Sequence, residues 1–151
     1  MDKLILDKKI DSILRAIDRI EIRTPKNKED FLKDIDAQDV ATLNLTRTIQ
    51  LCVDIAMHII ANSNADTPQT MSESFSTLEK LKIIDTETKN KLKKSIGFRN
   101  IAVHNYSGLD LELTFKIAHE HLDDFKDFIK QILKSNPLET NKIVKGNKSD
   151  R

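Results

Sequence analysis

The chain has 151 residues, of which 38% are hydrophobic and 32% charged, with a formal net charge of +1. One domain with its own core fits that length, and a membrane protein is excluded because no apolar run approaches the ~20 residues of a spanning helix. The near-zero charge excludes an overall basic field, and three glycines and three prolines favour long helices over a turn-rich sheet.

The N-terminal stretch MDKLILDKKIDSIL carries acidic residues and no small-residue cleavage site, so it does not read as a signal peptide. It opens a helix instead. Leu6, Ile10, Ile13, Ile17 and Ile20 recur at steps of four and three and share one face. Thr24-Pro25-Lys26-Asn27 breaks that pattern, and a short helix is expected around Phe31 and Leu32. A long helix follows over about 37–62, striped by Leu45, Ile49, Cys52, Ala56 and Ile59 and widened by Val53, Met57 and Ile60. Cys52, the single cysteine, lies in that stripe as a core residue; alone, it leaves no internal disulfide and fits a reducing cytoplasm.

Asn62 to Pro68 is a loop by composition, and a short helix over 72–81 carries Phe75 and Leu78. Asp85 is placed to cap a further helix that runs through residue 106, with Gly108 just beyond to end it. Asp110 then caps a last helix with the most regular stripe in the chain: Leu111, Phe115, Ala118, Leu122, Phe125, Ile129 and Ile132. Asn136-Pro137 ends it, and the basic, aperiodic residues 136–151 read as a flexible tail behind a domain of residues 1–135. The pattern predicts an all-α fold, an antiparallel four-helix bundle with short additional helices.

One stretch departs from a plain bundle. "RNIAVHNY", residues 99–106, holds an arginine, a histidine and the chain's only tyrosine. At about 100° per residue, Leu92, Ile96, Val103 and Tyr106 share an arc with Arg99 at its centre. Phe98, Ile101 and Ala102 take the other side, so this part of the helix is apolar nearly all round. It is expected to be covered by its own bundle on one side and by a second copy on the other. A buried guanidinium without a partner costs several kcal/mol. Arg99 must therefore reach out to solvent, pair with an acid such as Asp54, or face a polar cleft. His104 falls about 140° away from it, so the two meet only if the helix end distorts or two protomers converge.

Elsewhere the candidates are weaker. Asp54 and His58 lie four apart on one helix face, but two residues do not make a metal site, and no metal is expected. His119 and His121 face apart and read as surface residues.

The spacing of Arg99, His104 and Tyr106 matches R-x-x-x-x-H-x-Y near the end of the fourth principal helix. With "GFRNIAVHNY", "DIAMHII" and "TMSESFSTLEKLKII" in their helical settings, the chain resembles the HEPN superfamily over about residues 2–133. The likeness is strongest to its HepT-type toxins. The resemblance implies the HEPN fold, a homodimer, and a metal-independent endoribonuclease that needs no cofactor. By that resemblance it would belong to a type VII-like toxin–antitoxin system of the cytoplasm. Arg99, His104 and Asn100 would carry the chemistry on RNA, with Asp54 as a possible support for Arg99. The resemblance makes Tyr106 the acceptor of AMP from a minimal nucleotidyltransferase antitoxin, with which the dimer can form a larger hetero-oligomer. The competing reading is a non-catalytic helical module that binds a nucleotidyltransferase and presents a substrate to it.

Overall fold

A computed structural model describes residues 2–135; the expected basic tail, residues 136–151, lies outside them. The described residues form seven α-helices: α1 (Asp2–Arg23), α2 (Lys28–Lys33), α3 (Ile35–Ala61), α4 (Met71–Lys80), α5 (Thr86–His104), α6 (Leu111–Glu120) and α7 (Leu122–Ser135). A 3-10 turn, Tyr106–Gly108, follows α5.

Polar caps set the helix starts. The side chains of Asn27, Asp34, Thr70, Asp85 and Asp110 each accept a backbone N–H from the first turn of α2, α3, α4, α5 and α6. The Asp85 contact, from the Thr88 N–H, is 2.8 Å. Glu73 answers Thr70 by accepting the Gln69 N–H at 3.0 Å, which also pins the chain entering α4.

The long α3 is the axis of the bundle and packs on all six other helices. Its stripe Leu45, Ile49, Cys52, Ala56 and Ile59 is fully buried, as are Ile13, Ile17 and Ile20 of α1 opposite. Two aromatic pairs join the flanks. Phe75 of α4 meets Phe128 of α7 edge-on at 5.9 Å, and Phe31 of α2 meets Phe115 of α6 at 5.4 Å. The architecture is the expected antiparallel four-helix bundle with short helical additions.

Two elements depart from the sequence pattern. The last helix is broken: α6 stops with His121, whose N–H still bonds Ile117 O at 3.0 Å, and α7 restarts at Leu122. The break lets α6 follow α2 and α3 while α7 turns onto α5, which one straight rod could not do. The His121 ring lies 3.2 Å from the Asp124 carboxylate at the new start, and His119 stacks on Phe115 at the surface. Second, α5 ends at His104, earlier than its apolar pattern implies. Asn105 leaves helical geometry (φ −151°, ψ 65°), so Tyr106 sits on the 3-10 turn rather than on the helix.

Candidate active site

The end of α5 arranges the motif. Thr88, Leu92, Ile96, Phe98 and Ala102 are its buried residues, and Arg99 lies within that face, partly buried. Its Nε is buried and has no hydrogen-bond partner among the described residues, whereas its Nη1 donates to Asn100 Oδ1 at 3.2 Å. Of the three outcomes open to this guanidinium, the structure takes the first: the head reaches toward the surface.

The expected pairing with Asp54 is not formed. The Asp54 carboxylate accepts from Gln50 Nε2 at 3.0 Å and lies 3.8 Å from Lys9 Nζ of α1. One turn of α3 and the neighbouring α1 already occupy it. Among the described residues no carboxylate lies within ion-pair distance of Arg99, so none of them compensates its charge.

His104 is the last residue of α5 and is exposed. No hydrogen bond joins it to Arg99 among the described residues, as expected for side chains about 140° apart on one helix. The second cover expected for this helix is also missing from the single chain: Ile101 and Val103 are 44% and 48% exposed. These two apolar side chains flank His104 and Arg99 in sequence and stand open to solvent. Val103 shares an arc with buried Leu92 and Ile96, but the bundle no longer covers that arc near the helix end.

After α5 the chain folds back tightly. The Asn105 N–H reaches Ile101 O at 2.8 Å and the Gly108 N–H reaches Asn105 O at 2.9 Å. A Cβ on Gly108 would sit 2.5 Å from Asn105 Nδ2, so a larger residue there would make the exposed Asn105 side chain swing aside. Gly108 therefore closes the turn, not the helix. The turn presents Tyr106, 51% exposed. Its Oη donates to Asp39 Oδ1 of α3 at 2.5 Å. Partial burial, then the hydrogen bond and negative charge of Asp39, push the phenol above its ordinary pKa; Thr42 works against them. Asp39, a residue that the sequence pattern did not single out, thus belongs to this site. No local spacing could reveal it, because 67 positions separate it from Tyr106.

Among the described residues no three His, Cys, Asp or Glu side chains are grouped to hold a metal ion. No described helix is long and apolar enough to cross a membrane.

Comparison with known proteins supplies the context of this site. A family profile described as ribonuclease HepT-like matches residues 13–132. A protein of Shewanella oneidensis named mRNA nuclease HepT is 38% identical over 129 residues, 85% of this chain and 96% of that one. A protein of Aphanizomenon flos-aquae named tRNA nuclease HepT is 24% identical over 132 residues, 87% of this chain and 90% of that one. Among solved structures, the tri-AMPylated HEPN toxin of Shewanella oneidensis in complex with MNT antitoxin superposes with a TM-score of 0.81. It is 37% identical and matches 86% of this chain and 97% of that chain.

Proposed function

This chain belongs to the HepT-like ribonuclease family, and on that premise we propose that it is an endoribonuclease toxin held in check by a minimal nucleotidyltransferase antitoxin. The observation that carries the reading is the end of α5. An arginine with no carboxylate partner among the described residues and an exposed histidine stand five residues apart, with the exposed apolar side chains of Ile101 and Val103 between them. A paired structural arginine would have its acid; this one has Asn100.

RNA supplies the nucleophile. The 2′-oxygen attacks phosphorus while the 5′-oxygen leaves, which yields a 2′,3′-cyclic phosphate and a 5′-hydroxyl. The step needs a base for the 2′-hydroxyl proton, an acid for the leaving oxygen, and positive charge on the non-bridging oxygens. Imidazole exchanges protons near neutral pH, so His104 acts as base or acid. Arg99 holds the phosphate through its outer nitrogens, and Asn100 steers the guanidinium toward it. No step calls for a metal. A homodimer closed over the end of α5 would bring two copies of Arg99 and His104 to one cleft, one imidazole as base and the other as acid. It would also concentrate charge that a chain of net charge +1 lacks.

The named relatives support an antitoxin that adds AMP. Tyr106 is the residue on this chain fitted to receive it: exposed, beside His104, and the only tyrosine. An AMP there adds bulk and negative charge next to the arginine, which excludes RNA.

The test is expression of the chain alone. Growth should stop with the wild type and continue with Arg99→Ala or His104→Ala. A harmless wild type whose purified protein leaves RNA intact in chelator would end this reading, and a non-catalytic partner of a nucleotidyltransferase would replace it.

A further inference from the structure

The hydrogen bond between Tyr106 and Asp39 joins two elements far apart in sequence, the turn after α5 and the early part of α3. Its direction matters. The phenol donates and the carboxylate accepts, at a length typical of a charge-assisted O–H···O⁻ bond. Asp39 is exposed and makes no ion pair among the described residues, so none of their cations competes with the phenol for its carboxylate. From α3 the groups bearing on the phenol are Asp39 and Thr42, and its chain neighbours on the turn, Asn105 and Ser107, do not titrate.

We propose that Asp39 is the general base that takes the proton of Tyr106 when the antitoxin transfers AMP to it, so that the toxin itself supplies part of the chemistry of its own silencing. This rests on Tyr106 being the acceptor. A lone pair on Tyr106 Oη forms the bond to the α-phosphorus of ATP. The bond from that phosphorus to the bridging oxygen breaks, and pyrophosphate leaves with the electron pair. The proton on Oη passes to Asp39 Oδ1 and from there to solvent, which the exposed carboxylate meets directly. Because burial and Asp39 both hold the phenol neutral, phenolate is scarce at neutral pH and the proton must leave as the oxygen attacks.

The product differs from the reactant in one further way. Once Oη carries phosphate it has no proton to donate, and Asp39 then faces a second negative charge. The modified side chain cannot return to its seat against α3.

The experiment measures initial rates of AMP transfer from ATP labelled at the α-phosphate, with the full chain and saturating cognate minimal nucleotidyltransferase. Asp39→Asn keeps an acceptor oxygen at the same place but removes the base. It should label about 10²-fold more slowly at neutral pH. The deficit should shrink as pH rises and hydroxide takes over, while the wild-type rate stays nearly flat. Asp39→Glu should recover part of the rate. Wild-type labelling of Asp39→Asn, or a deficit equal at every pH, would overturn the proposal. Tyr106→Phe separates the two layers: it should take no label. Labelling at the wild-type rate would overturn the acceptor reading, and the role of Asp39 with it.

Discussion

Arg99 donates from Nη1 to Oδ1 of Asn100, its immediate neighbour in the chain, at 3.2 Å. Adjacent helical residues point about 100° apart, so this contact turns the guanidinium from the packed side of α5 toward the open side. The buried Nε gains nothing from it.

Cleavage of a fluorogenic RNA in chelator should therefore rank the three residues. Arg99→Ala and His104→Ala should each lose ~10²- to 10⁴-fold. Asn100→Ala should lose less, about tenfold, because it removes only the steering of an arginine still present. Circular dichroism should show all three folded. Equal losses at the three positions would contradict this division of roles.

Asp54 should prove dispensable. Its contact to Lys9 is 3.8 Å long, with the two side chains 30% and 40% exposed, which places it among weak surface pairs. Asp54→Asn should change stability by less than about 1 kcal/mol and RNA cleavage by no more than a few-fold. A large loss of cleavage would return Asp54 to the support of Arg99.

Asp85 should matter more than its exposure suggests. Hydrogen bonds from Thr88, backbone first, hold its carboxyl below the usual range, with Gln131 and Lys91 adding to them. A depressed folded-state value means the stabilisation is present above the ordinary carboxylate pKa and is lost as pH falls through the depressed one. Asp85→Ala should cost about 1 kcal/mol at neutral pH, measured by urea unfolding. The gap to wild type should close on acidification.

The Phe75–Phe128 contact should be the costliest single element to remove. Both rings are fully buried and clamp α4 to α7. Phe128→Ala should cost ~3–5 kcal/mol in urea unfolding, and Phe128→Leu clearly less.

The bundle was legible in the sequence because burial follows periodicity. The stripes of α1 and α3 are the core residues, and Asp85 and Asp110 cap where the pattern begins. His121 was not legible as a break. The stripe from Leu111 to Ile132 runs across it unchanged, and only the different neighbours of α6 and α7 require the bend. The same limit holds at the site. Arg99 stood out as a charge in an apolar arc, and the motif named His104 and Tyr106. Periodicity overran the end of α5, however, because it has no means of sensing how closely Asn105 and Gly108 approach. It was equally blind to Asp39, whose contact exists only after folding.

With one tyrosine and no tryptophan, the chain has a single strong ultraviolet emitter, and it stands on the turn next to His104. Light from Tyr106 is thus light from the mouth of the proposed site. If the proposed site takes RNA and Tyr106 takes nucleotide, each of those states should change the emission of that one ring in the native protein, without a dye attached.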